Sequence, residues 1–292
     1  MSLAKRVRTY GSLVAFAHTV FALPFAASAV VLALRVPHSP LTAVRIGLML
    51  LCMVAARTSA MAFNRWADRD IDALNPRTST RHVPAGIVAG TEALALAAGA
   101  GVVFLIAASS LGIWPAVLAP AVLAVLLGYS YAKRFTWGAH AWLGFALSLA
   151  PGGAWIAAGA RPGMGIVWLM VAVATWLLGF DILYSLQDED FDRGAGLRSI
   201  PARFGARTAL TISEWAHVAT TTALALCGVA LGRGPAYGLA VAIVAGLLVH
   251  EHALVRKQGL AVIGKAFFNV NAWVSVAFFA LVAIDELVRR LG

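Results

Sequence analysis

The sequence predicts an all-α, polytopic membrane protein with nine transmembrane helices. Three observations predict it. The 292 residues are 61% hydrophobic and 12% charged, whereas a soluble domain is about 45–50% apolar and about 25% charged. The apolar residues gather in runs of spanning length, since each helical crossing takes about 20 of them. The segments between those runs carry nearly all of the Lys and Arg. Such a composition excludes a water-soluble enzyme, and it excludes disorder, which needs low hydrophobicity.

Taken in order, the runs cover 12–34, 42–63, 91–109, 113–132, 138–160, 164–186, 208–231, 236–254 and 267–288. The first follows Lys5, Arg6 and Arg8 and stays apolar to Leu34. That is longer than the apolar core of a secretory signal, so it reads as a retained span. The run at 208–231 is the weakest, because Glu214 and His217 interrupt its first turns. Pro151-Gly152-Gly153 reads as a kink or a site of close helix packing. Two connections are long and irregular: 73–90, with Asn75, Pro76, Pro84 and Gly86, and 193–207, with Gly194, Gly196 and Pro201. They follow the second and sixth runs, a spacing of four helices that gives one domain, 1–292, two similar halves. Cys52 and Cys227 lie in apolar runs without metal-ligand spacing and read as small core residues.

The 23 Lys and Arg against 13 Asp and Glu give a net charge of +10. In a membrane protein this marks the cytoplasmic side rather than nucleic acid. With the N-terminus inside, the inner segments hold sixteen basic residues: Lys5, Arg6, Arg8, Arg65, Arg69, Arg77, Arg81, Lys133, Arg134, Arg193, Arg198, Arg203, Arg207, Arg256, Lys257 and Lys265. The outer ones hold six: Arg35, Arg45, Arg161, Arg233, Arg289 and Arg290. The positive-inside rule therefore predicts a cytoplasmic N-terminus. Arg57 lies inside the second run, where a charge is costly and faces a cavity or a partner such as an acidic substrate group or Asp181.

Eight of the acidic residues fall in two short stretches. Asp68, Asp70 and Asp72 lie in the first, and Asp181, Asp188, Glu189, Asp190 and Asp192 in the second, each at the cytoplasmic end of a predicted helix. At about 100° per residue, Asn64, Asp68 and Asp72 share an arc of about 80°, and so do Asp181, Tyr184, Asp188 and Asp192. Stacked carboxylates repel, so a positive partner is required. Mg²⁺, which takes hard oxygen ligands together with substrate phosphates, is one such partner. The alternative is a salt-bridge network with Arg65, Arg69, Arg193 and Arg198. Arg77, Arg81, Lys133, Arg134, Arg198 and Arg203 have the chemistry to grip a phosphate. His250-Glu251-His252 is not a zinc motif, because two histidines two residues apart leave one helix face. His18 reads as a packed residue.

Asn64-Arg-Trp-Ala-Asp68-Arg-Asp-Ile-Asp72, with Asn75-Pro76-Arg77-Thr78 and Arg81-His-Val-Pro84 after it, resembles the first signature of the UbiA-type intramembrane prenyltransferases. Asp181-Ile-Leu-Tyr184-Ser-Leu-Gln187-Asp188-Glu-Asp-Phe-Asp192 resembles the second. Tyr129-Ser-Tyr131-Ala-Lys133-Arg134 is similar to the segment between them, and His18-Thr-Val-Phe-Ala-Leu-Pro24 to the first helix. The resemblance implies nine helices around a central cavity, Mg²⁺ as cofactor, a polyprenyl diphosphate donor and an aromatic acid acceptor. It implies metal ligation by Asn64, Asp68, Asp72, Asp188 and Asp192. Diphosphate contacts fall to Arg69, Arg81, Tyr129, Lys133 and Arg134, and orientation or proton transfer to Asp181 and Tyr184. Arg57, about 10 Å deeper on the helix face of Asn64, reads from its own depth as holding the acceptor carboxylate, the alternative being a structural pair with Asp181 or a helix carbonyl. The start Phe63-Asn64-Arg65 and the stretch from Gly196 to Gly205 are similar to a bacterial 4-hydroxybenzoate polyprenyltransferase-like branch. That branch includes futalosine-route menaquinone enzymes, so 4-hydroxybenzoate is the expected acceptor and 1,4-dihydroxy-6-naphthoate the alternative. The bacterial inner membrane is the expected location, with the site facing the cytoplasm and no nucleic acid or obligate protein partner. Two other classes use intramembrane acids. A CDP-alcohol phosphatidyltransferase has a single Asp-rich motif of another pattern, and a transporter carries its acids near the midplane.

Overall fold

The computed structural model describes residues 9–13, 22–34, 41–259, 263 and 265–291. His18, the basic residues Lys5, Arg6 and Arg8, and the middle of the first predicted span lie outside them. Among the described residues all regular structure is helical. The helices are α1 (Ala22–Ala33), α2 (Ala43–Ala67), α3 (Arg69–Leu74), α4 (Gly90–Ser109), α5 (Ile113–Phe135), α6 (Ala139–Ala157), α7 (Met164–Ser185), α8 (Glu189–Gly194), α9 (Ile200–Ala230), α10 (Pro235–Gln258) and α11 (Lys265–Leu291). Six are long and apolar enough to cross a membrane: α2, α4, α5, α7 continued through α8, α10, and α11 from Phe267. The chain is a multi-pass integral membrane protein. α6 falls short of that measure because His140, Trp142, Ser148 and Pro151 dilute its apolar run. α9 falls short because it carries Arg203, Arg207, Glu214, His217 and three threonines, Thr220 to Thr222.

The chain forms two compact units, one of 1–19 with 41–131 and one of 20–40 with 132–292. In the first unit α2 packs along α4. Small residues let the two backbones approach. Ser59 donates to the carbonyl of Ala97 at 2.8 Å, and a Cβ at Gly101 would stand 3.3 Å from the Ser59 and Leu123 side chains. Phe104 fills the space among Ala55, Ala108 and Ala119. The outer faces stay apolar: Val44, Ile46, Leu50, Val102, Ile106 and Trp114 are all exposed. In water such a surface would associate; in lipid it is the solvated one.

In the second unit the helices close a ring. α1 touches α6, α6 touches α7, and α7 touches α9. Beyond it α9 touches α10, α10 touches α11, and α11 returns to α1. The ring is filled by Trp176, Phe25 and Phe278, the Phe25 centroid standing 5.1 Å from each of the other two. On α6, Gly144, Ser148 and Gly152 stand four residues apart on the face that meets α7. A Cβ on Gly144 would strike the backbone carbonyl of Ala174, and one on Gly152 would come within 2.7 Å of Met170 Sδ. Pro151-Gly152-Gly153 therefore marks close packing, inside a helix that runs on to Ala157. Arg233 is buried against Asp285 and Glu286 at 2.8 and 2.9 Å, and Asp285 also accepts from the Gly234 and Tyr237 amides. This clamp ties the α9–α10 turn to α11. Arg233, counted above as an outer charge, is thus neutralised within the fold.

Candidate active site

The two acidic stretches share a backbone device. The sequence predicts unbroken helices through both, and here the structure corrects it. α2 ends at Ala67, and Asp68 adopts φ −95°, ψ 4° before the six-residue α3 begins. α7 gives way to a 3₁₀ turn, Leu186–Asp188, and Asp188 adopts φ −107°, ψ 5° before the six-residue α8 begins. Both aspartates sit in the sparsely populated bridge region, where active-site residues are often found. The i,i+4 spacing survives the break, because the Asp68 and Asp72 amides still donate to the carbonyls four residues back, at 2.9 and 2.7 Å.

Four residues beyond each break lies a buried carboxylate held by a cation. Asp72 is 6% exposed and Asp192 is 2% exposed, and a buried charge is tolerable only when paired. Arg81 Nη1 donates to both oxygens of Asp72, at 2.7 and 2.8 Å. Lys133 Nζ reaches Asp192 Oδ2 at 3.1 Å. The first connection makes its pairing possible. Asn75 Oδ1 accepts from the Arg77 amide at 2.9 Å, and the Thr78 hydroxyl donates to the Asp72 carbonyl at 3.1 Å, which folds the chain back towards Asp72.

The other expected site residues are placed as follows. Asn64 Nδ2 donates to Asp68 Oδ2 at 2.7 Å and lies 3.5 Å from Ser130 Oγ. Asp188 is buried. Arg69 folds back on its own helix, donating to the Trp66 carbonyl at 2.8 Å with its guanidinium 5.4 Å from that ring. It also pairs with the exposed Asp70 at 3.4 Å. Tyr129 is half-buried on α5, Arg134 is exposed, and Arg57 is half-buried within α2. Tyr184 stacks parallel to Phe180 at 6.3 Å and meets Phe268 edge-on at 5.6 Å. Phe267 adds a fourth ring, 4.9 Å from Phe180. Each acidic stretch, with Asn64 in the first, offers hard oxygen donors of the kind Mg²⁺ takes. Among the described residues no group of three or more His, Cys, Asp and Glu is gathered at one point.

Two features escaped the sequence reading. His140 Nδ1 stands 2.7 Å from Asp181 Oδ2. The second is a buried polar chain across four helices. Trp176 Nε1 donates to Asn271 Oδ1 at 2.9 Å, Asn271 Nδ2 donates to Glu251, and His217 and His252 meet at 2.9 Å. A lone polar residue in an apolar run is the signal that would have found both. His250 points outward while His252 is buried, as two histidines two residues apart on a helix must.

Spanning-length apolar helices and two matched acidic motifs, each with a cation on its buried aspartate, are the features of an intramembrane enzyme. The model of the UbiA prenyltransferase family matches residues 22–281. A UbiA homologue from Aeropyrum pernix K1, in its apo form, is 34% identical and covers 92% of this chain and 98% of its own, with a TM-score of 0.83. The 4-hydroxybenzoate octaprenyltransferase of Aromatoleum aromaticum is 31% identical over 234 residues, 80% of this chain and 78% of its own length. A UbiA homologue from Archaeoglobus fulgidus bound to GPP and Mg²⁺ shares the fold at a TM-score of 0.73, with 19% identity over 96% of this chain and 99% of its own. The chain belongs to the UbiA prenyltransferase family and is a prenyltransferase. That assignment sets aside the phosphatidyltransferase and transporter alternatives.

Proposed function

We propose that the protein transfers a polyprenyl group from an allylic polyprenyl diphosphate to a ring carbon of 4-hydroxybenzoate. The observation that carries this reading is the matched pair of motifs, each a bridge-region Asp followed four residues later by a buried Asp held by a cation. The relatives named for 4-hydroxybenzoate support the acceptor, and the Archaeoglobus homologue supports Mg²⁺ and a prenyl diphosphate. Asn64, Asp68, Asp72, Asp188 and Asp192 hold the metal. When bound, Mg²⁺ neutralises charge that builds on the leaving diphosphate. Arg81 and Lys133 grip the diphosphate with Arg69, Arg134 and Tyr129, stabilising it as the allylic C–O bond breaks. The aromatic faces of Phe180, Tyr184 and Phe268 favour positive charge on the prenyl carbon. Tyr184 orients the acceptor ring, Arg57 pairs with its carboxylate, and Asp181 takes the ring proton after transfer. The family match runs across both compact units, which supports one catalytic domain over 1–292. Nine helices around a central cavity, in the bacterial inner membrane with the site facing the cytoplasm, complete the proposal, and the Lys and Arg distribution supports that sidedness.

The test is prenyl transfer by membranes supplied with geranyl diphosphate and a panel of aromatic acids, read by mass spectrometry. Prenylated 4-hydroxybenzoate is the expected product, while a prenylated dihydroxynaphthoate alone would move the acceptor to the alternative. EDTA should abolish transfer and Mg²⁺ restore it, with Asp68→Ala and Asp188→Ala each nearly inactive. Full activity in metal-free buffer overturns the metal ligation.

A further inference from the structure

The segment 133–140 is bonded to the second acidic stretch at both of its ends. At one end Lys133 holds Asp192 through its ammonium group, and its carbonyl accepts from the Arg198 amide at 2.7 Å. Arg198 Nη1 donates to the Phe135 carbonyl at 2.7 Å. At the other end stands His140, 0% exposed. Its Nδ1 lies 2.7 Å from Asp181 Oδ2 and its Nε2 lies 3.2 Å from the Ile200 amide nitrogen.

These two contacts fix the chemistry of the ring. A backbone N–H can only donate, so Nε2 must present its lone pair to Ile200. In a neutral imidazole the proton then sits on Nδ1 and is donated to Asp181. A proton on Nε2 would break the Ile200 bond, and Ile200 opens α9, where the first amides have no partner in the helix. Ser199 caps that helix by accepting from the Ala202 amide at 3.3 Å, which leaves the Ile200 amide to His140. The ring is thereby held as a neutral donor, and Asp181 Oδ2 as an acceptor. Among the described residues no protein group is bonded to Asp181 Oδ1.

We propose that His140 is the positioning residue for Asp181, aiming the carboxylate so that its second oxygen takes the proton shed by the acceptor ring. This rests on the reading of Asp181 given above. In the step concerned, the new C–C bond is already formed. The C–H bond at the attacked ring carbon breaks, its electron pair restores the aromatic ring, and the proton passes to Asp181 Oδ1. No oxidant or reductant takes part.

Two measurements on the full chain in detergent test it. In ¹⁵N spectra of histidine-labelled protein, one imidazole should carry its proton on Nδ1 with Nε2 bare, and His140→Asn should remove that signal. In assays with geranyl diphosphate and ring-deuterated 4-hydroxybenzoate, or the ring-deuterated dihydroxynaphthoate if that is the acceptor, His140→Leu should lower kcat about 10- to 100-fold, the scale of a misaimed reacting group. Both KM values should stay near the parent's, and a deuterium effect larger than the parent's should emerge. His140→Asn, whose amide offers a donor where Nδ1 stood, should recover much of the loss. In an Asp181→Asn background His140→Leu should cost nothing further. A folded His140→Leu with parental kcat, an equal loss in the Asp181→Asn background, or a bare Nδ1 overturns the proposal. If His140→Leu does not fold, the spectrum and His140→Asn decide. Full activity in Asp181→Asn would instead sink the reading of Asp181 itself.

Discussion

Arg57 is half-buried in α2, seven residues before Asn64, which at 1.5 Å per residue is about 10 Å along the helix. A guanidinium at that depth matches an aromatic ring held below a diphosphate, because a carboxylate takes two parallel hydrogen bonds from it. Lysine keeps the charge but not the fork. Arg57→Lys should therefore raise the acceptor KM about 10-fold, equivalent to about 1.4 kcal/mol, with donor KM unchanged. It should also weaken the preference for the acid over its uncharged ester. Steady-state kinetics on both substrates checks this, and an intact acid-to-ester preference in a folded variant rules the carboxylate role out. The carboxylates themselves were legible from spacing, but their partners were not. Nothing in the sequence singles out Arg81 over Arg77 as the cation on Asp72. That choice is made by the turn that Asn75 and Thr78 build.

The short helices after Asp68 and Asp188 carry the same lesson for elements. An i,i+4 pattern reads as one helix face, and the hydrogen bonds do continue across Asp68. The break at Asp68 is one residue long and that at Asp188 closes one 3₁₀ turn, and periodicity registers neither. Helix packing was more readable, because Gly152 follows a proline in a span. Gly144 and Gly153 look alike in sequence, yet they differ in space. Gly144→Ala would drive a methyl into the fixed carbonyl of Ala174, whereas Gly152→Ala meets the flexible Met170 and Gly153→Ala meets nothing within 4 Å. Overpacking costs about 1–3 kcal/mol, and a Gly to Ala change on an open helix face gains about 0.5–1 kcal/mol. Thermal unfolding in detergent should therefore rank Gly153→Ala at or above the parent, Gly152→Ala at or below it, and Gly144→Ala lowest. Parental stability in Gly144→Ala would refute the close α6–α7 contact.

At the scale of the molecule, sidedness decides from where the substrates arrive. The distribution of Lys and Arg predicts a cytoplasmic side for the connections 73–90 and 193–207. Thr80 and Ala195 are exposed positions on them. In a background lacking Cys52 and Cys227, cysteines at these two positions should react with an impermeant maleimide in inverted vesicles but not in intact cells. Labelling of intact cells would reverse the topology and the side of the site with it. Arg233 contributes little to this balance, since Asp285 and Glu286 neutralise it at close range.

The sequence by itself determined the solvent, the helices and the two places where acids collect. Those properties are carried by composition and by contiguous pattern, which need no knowledge of distant contacts. The residues of the two motifs also resembled the signatures of the family before any fold was known. Tertiary structure decided which cation each acid receives and that the helices break at Asp68 and Asp188. It also made His140, 41 residues from Asp181 in the chain, the group that holds it. The physical reason for the pairings is the same in each case. A buried charge or amide must find a partner, and the partner it finds is whichever group packing brings within about 3 Å, a distance that chain separation does not encode.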